Sequence, residues 1–144
     1  MKKNVVGTAF TVKDSLRQID WKLTNEFRII AGFNCKKAIG RINDSVYVFV
    51  FYSEEIMIPG GPCSIHGLPG MILGMTIPRL YTSWIATKIN VQNVDDTKIK
   101  NGIPAKRYYT DKEFTSLIYD RAKEWGNDEE SKKWVTQFIW SAEL

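Results

Sequence analysis

Few residues in this chain could do chemistry. His66 is the only histidine; with Cys63 it makes a Cys-x-x-His spacing, and Cys35 is the other thiol. Zinc takes four ligands in a structural site, or three and a water in a catalytic one. These side chains supply no fourth ligand, so no metal and no other cofactor is expected. A nucleophile pair, the hydrolase reading of Cys35 or His66, needs a lowered thiol pKa and a third group to orient the base. Nothing near either residue in sequence provides these, and His66 reads as a polar turn residue. Glu54-Glu55 follows a strand, where neighbouring side chains point to opposite faces, a poor geometry for an acid–base dyad. Asp95-Asp96 sits in a polar stretch and reads as solvated. The glycines form neither of the two phosphate-binding patterns, G-x-x-x-x-G-K-[ST] or G-x-G-x-x-G. No catalytic residue is expected, and the chain reads as non-enzymatic.

What positions these residues is an unusual segment. Residues 56–78, IMIPGGPCSIHGLPGMILGMTIP, carry no Asp, Glu, Lys or Arg, yet hold four of the five prolines and half of the ten glycines. A charge-free run of this length suggests a membrane helix, but each proline removes a backbone donor and clashes with a continuing helix. The run is therefore expected to follow a fixed, largely buried, non-helical path. Gly60-Gly61-Pro62 is one sharp bend, after Pro59. Gly67-Leu68-Pro69-Gly70 is another: Pro69 presets the first central position of a turn, and Gly70 supplies the positive φ of a type II turn. Ile65, Leu68, Met71, Ile72 and Leu73 would then line an apolar wall.

The first ninety residues read as strands. Val5 to Val12 is rich in strand formers; Ile19, Trp21 and Leu23 alternate with polar residues at period two. Glu26 to Ala31 continues after a break at Asn25, and Cys35 to Ile42 and Val46 to Tyr52 should pair as an antiparallel hairpin across Asn43-Asp44. Met71–Ile77 and Tyr81–Val91 are two more strands, and Pro78, lacking a donor, marks the boundary between them. Residues 92–109 are a polar linker. Thr110-Asp-Lys-Glu113 is a capping box, followed by Phe114, Leu117, Ile118, Ala122 and Trp125 at helical spacing, with Gly126 as the cap. Asn127-Asp-Glu-Glu130 opens a second helix, whose stripe is Trp134, Val135, Phe138, Ile139 and Ala142. Strands first and helices last predict an α+β fold: a curved antiparallel sheet, possible as an open half-barrel, then two C-terminal helices. The 144 residues are expected to form one domain, with a β-sheet part at 1–91, a linker at 92–109 and a helical part at 110–144.

The formal charge of +4 is mild, and the basic residues are scattered, so no nucleic-acid partner is expected. No apolar stretch follows Met1-Lys2-Lys3, so no leader is expected within these residues, and the chain is not expected to span a membrane. The two thiols are either unrelated buried groups or one disulfide, which would stabilise by about 3–4 kcal/mol; the sequence leaves both open.

Several separated motifs carry a resemblance. Gly67-Leu68-Pro69-Gly70-Met71-Ile72-Leu73, after Ile58-Pro59 and Gly61-Pro62, resembles the GLPGLI family of exported Bacteroidetes proteins, named for that motif. Trp21, the segment 32–38 and the segment 48–56 fit in order, and Cys35 matches a family cysteine. Met71 stands for the usual Leu, a swap that conserves volume. The resemblance implies a periplasmic, secreted or outer-membrane-associated envelope protein with no assigned activity. Members usually carry strands before the Trp segment, so an exposed strand edge is expected here, through which the chain either forms a homodimer or aggregates unless its first residues fold back to cover it. The leading functional expectation is a binding or scaffolding protein of the cell envelope with an envelope protein as partner. The alternative is a carrier of a lipid or other apolar ligand in the concave face, lined by Trp21, Phe33, Tyr52, Leu68 and Met71.

Overall fold

The computed structural model describes residues 2–5, 8–13, 15, 18–43, 45–63, 65–92, 107–122, 124 and 128–143. Most of the expected linker, residues 93–106, lies outside them, as do Trp125, Gly126 and Asn127. The fold is α+β: a five-stranded antiparallel sheet, not closed, and two C-terminal helices. The chain divides into two compact units, one formed by Met1–Ser15 with Gln92–Leu144 and the other by Leu16–Val91. The β-rich stretch 1–91 is thus shared between them.

The first unit joins a hairpin to the helices. Strands β1 (Lys2–Val5) and β2 (Thr8–Thr11) pair antiparallel, where the sequence pattern had suggested one strand from Val5 to Val12. Helices α1 (Asp111–Ala122) and α2 (Glu129–Glu143) follow the spacing of their apolar residues. Phe114, Ile118 and Ala122 of α1 and Val135 and Ile139 of α2 close on Val5, Phe10 and Val12. The Phe10 ring meets Phe114 edge-on, with centroids 5.5 Å apart, and Tyr109 at 5.6 Å. Thr11 and Lys13 bond to the Tyr109 backbone, tying the hairpin to the entry of α1. Lys3 Nζ donates to the Ala142 carbonyl at 2.6 Å, near the negative end of the α2 dipole. Trp134 departs from its expected place in the stripe. It is 55% exposed and stacks on Phe138 at 5.5 Å, because a step of one residue turns it away from the buried Val135.

Both helix starts are capped as the sequence indicates. Thr110 Oγ1 accepts from the Glu113 N–H at 3.2 Å, and Glu113 Oε2 accepts from the Thr110 N–H at 2.8 Å. Asp128 Oδ1 accepts from the Ser131 N–H at 2.8 Å and the Glu130 N–H at 3.0 Å. The Thr110 backbone and hydroxyl hold the Glu113 carboxyl below its ordinary value. The Ser131 hydroxyl and backbone do the same for Asp128. A lowered carboxylate pKa adds stability that is present above the unfolded value and lost as pH falls through the folded one. Melts of the helical signal from about pH 7 to about pH 3 should therefore weaken on the acid side, and Glu113→Gln should flatten that slope. Thr110→Ala should cost about 1 kcal/mol at neutral pH.

The second unit is a meander, with strand order β3-β4-β5-β6-β7 and every neighbour antiparallel. Its strands are β3 (Trp21–Ile30), β4 (Phe33–Asn43), β5 (Val46–Ser53), β6 (Met71–Ile77) and β7 (Thr82–Ile85). The break expected at Asn25 is instead a register shift within one strand, between Leu23 and Phe27. The strand expected over Tyr81–Val91 shrinks to β7, after a single 3-10 turn at Pro78–Leu80. Ala31 and Gly32, both at positive φ, make the tight turn between β3 and β4. In the central strand β5, Val46, Val48, Val50 and Tyr52 are fully buried on one face. The other face carries Phe49 and Phe51, with Lys37 5.8 Å from the first ring centroid and Arg28 4.6 Å from the second.

Candidate interaction surface

The charge-free segment meets the sheet at Trp21, at the start of β6 and at the end of β5. Ile65 and Leu68 are buried, and the Gly60 carbonyl accepts from the Ile72 N–H at 2.8 Å, docking the loop onto the start of β6. Gly61 sits so close that an added Cβ would lie 2.9 Å from the Ile72 side chain. Trp21 is paired with Gly40, whose missing side chain lets the indole lie on β4. The indole Nε1 donates to the His66 carbonyl at 2.9 Å. Tyr52 and Leu68 are also buried on this unit, whereas Phe33 and Met71 pack against the Ile30–Cys35–Leu73 cluster. The five residues considered as a ligand wall therefore divide between two settings. The path is also less buried than the composition suggests: Met57 and Ile58 are exposed, and Pro59 and Pro69 face water.

The GLPG turn differs from the expected type II geometry. The Gly70 N–H bonds to the Leu68 carbonyl at 2.9 Å, closing a three-residue turn on Pro69. Gly70 has φ +154° in place of the value near +80° that type II requires. The reason is the neighbouring strand, since Gly70 presses on the Ser53 carbonyl.

The chemistry-bearing groups are in structural positions. Cys35 is fully buried among apolar side chains, its Sγ 3.5 Å from the Phe33 carbonyl. Burial pushes its thiol pKa up, away from the thiolate a nucleophile needs. Cys63 is exposed, and no disulfide joins the two cysteines. His66 Nε2 is buried and finds no hydrogen-bond partner among the described residues. Glu54 Oε2 pairs with Lys36 at 2.9 Å, and Oε1 lies 3.4 Å from the Tyr52 hydroxyl. Glu55 Oε1 accepts from the Asn34 N–H at 2.9 Å. Among the described residues, no three His, Cys, Asp or Glu side chains are gathered to hold a metal ion. No described helix is long and apolar enough to cross a membrane.

Apolar surface is the unspent feature. Among the described residues, strand β3 pairs with β4 alone, so it is one edge of the sheet. Register places Leu23 opposite Ala38 and Phe27 opposite Lys36, on the same face as Trp21. Ile29, opposite Asn34, shares that face. Leu23 is 59% exposed, Phe27 67% and Ile29 72%. Three large apolar side chains thus stand exposed in one row on an edge strand. Sequence reasoning passed over this row. Apolar residues at 23, 27 and 29 alternating with charges signal a strand with one apolar face, but the alternation does not say that this face is left open.

The family model described as N-glycanase peptide, N-terminal domain, matches residues 3–119. The chain belongs to that family. The match corrects the GLPGLI resemblance: it spans both the hairpin and the sheet, whereas the tetrapeptide is a turn explained by the packing of Gly70 on Ser53. The expected envelope placement rested on that resemblance alone. No curated protein and no solved structure matches this N-glycanase family member.

Proposed function

We propose that this member of the N-glycanase family is a non-catalytic binding module, meeting a glycosylated polypeptide through the outer half of its sheet face. The observation that carries the reading is the exposed row Leu23, Phe27 and Ile29 on β3. Next to it, Lys36 and Glu54 form a polar rim, since Phe27 pairs with Lys36 and Lys36 with Tyr52. An apolar centre with a polar border suits a protein partner, and the family's name, N-glycanase, points to N-glycosylated chains. A thiol that is fully buried with a raised pKa, and a carboxylate already paired with Lys36, speak against hydrolysis at these residues. The carrier reading is weaker, because Tyr52 and Leu68 are packed and Phe33 and Met71 belong to the Cys35 cluster.

An immobilised N-glycosylated protein should retain the chain. The double variant Phe27→Ser with Ile29→Ser should weaken retention about tenfold or more. Unchanged retention in that variant, or none with the native chain, would count against the surface. Release of N-glycan by the native chain, abolished in Cys35→Ser, would overturn the non-catalytic assignment.

A further inference from the structure

The edge of β3 is suited to a particular occupant. Ala31-Gly32 closes a two-residue hairpin with Ile30 opposite Phe33. The closing pair of such a hairpin exchanges hydrogen bonds, and bonded and non-bonded pairs then alternate along the ladder. Ile30 and Arg28 therefore bond to β4, while Phe27 and Ile29 direct their N–H and C=O outward. Among the described residues, no strand pairs with that outer side. Glu26 and Arg28, on either side of Phe27, project to the sheet face opposite the apolar row. Glu26 Oε1 meets Lys37 at 2.7 Å there, and Arg28 lies over Phe51.

We propose that the partner of this edge is a second copy of the chain, pairing β3 with β3 antiparallel about a two-fold axis at Phe27. The charges select both the partner and the register. In an antiparallel pair centred on Phe27, each Glu26 stands opposite the other copy's Arg28, so the strand is complementary to itself. Centring on Arg28 would oppose two guanidinium groups. Centring on Ile29 would set Arg28 against Ile30 and leave the charges unmatched. The shift between Leu23 and Phe27 disfavours registers centred farther back. Phe27 of the two copies then forms a cross-strand aromatic pair. The inference rests on the same strand as the proposed function but uses its backbone edge and its charged face.

Sedimentation of the full chain from about 1 µM to about 100 µM should show a monomer–dimer equilibrium. Glu26→Arg and Arg28→Glu should each weaken dimerisation about tenfold or more, because each sets like charges opposite one another twice. The double variant Glu26→Arg with Arg28→Glu should recover the dimer, with melting temperature followed throughout to confirm that all variants fold. A monomer at every concentration, a dimer indifferent to both single reversals, or a double variant without recovery would each overturn the proposal. Phe27→Ser with Ile29→Ser keeps the charge pairs. Loss of glycoprotein retention in that variant alongside a persisting dimer would separate the two readings.

Discussion

Gly70→Ala should be among the most damaging single substitutions in the chain, at about 3 kcal/mol or more. An added Cβ would lie 2.1 Å from the Ser53 carbonyl oxygen and 3.1 Å from the Glu54 Cα, both backbone atoms that no rotamer change can move aside. The φ of +154° is also one that L residues rarely adopt. Gly32→Ala is the control. Gly32 has a positive φ of +86° but no atom within 4 Å of the added group, so only backbone strain of about 1 kcal/mol applies. Denaturant midpoints of the two variants should differ accordingly. Equal midpoints would mean that the 67–70 turn does not press on β5.

Phe114→Ala should remove about 3–5 kcal/mol from the helical unit. Phe114 is fully buried, contacts Phe10 edge-on, and has the Lys3 ammonium 5.3 Å from its ring centroid. The core it belongs to is built from the hairpin and the two helices, while Ile30, Cys35 and Leu73 form a separate cluster in the sheet. Hydrogen exchange resolved by segment should show protection falling in α1 and α2 while β5 keeps its own. An equal fall in β5 would show that the units melt as one.

What the sequence disclosed depended on the range of the interactions involved. The capping box at Thr110 and Glu113 was legible because its bonds span three residues, and the structure closes both of them. Strand β6 was legible from its flanking turns and appears over Met71–Ile77 as expected. The hairpin at β1 and β2 was not, since Val5 to Val12 has strand composition throughout and the pairing is decided by docking on Phe114 and Val135. Trp134 was misplaced because a stripe on a helical wheel does not define its own margin. The surface row was hidden for a related reason. Leu23, Phe27 and Ile29 have the composition of a buried face, and they lie in water because no strand among the described residues follows beyond β3. The GLPG motif drew attention through its rarity, yet its glycine answers to one carbonyl of a neighbouring strand.

The discontinuous make-up of the helical unit has a consequence for biosynthesis. Lys3 and Ala142 are bonded across 139 positions of sequence, whereas the sheet is complete within Leu16–Val91. On the ribosome the sheet can therefore form as soon as β7 emerges. The hairpin, made first, must wait for the last helix with Val5, Phe10 and Val12 uncovered. A nascent chain arrested after β7 should carry a folded sheet and a leading segment that remains a ready client for chaperones and proteases.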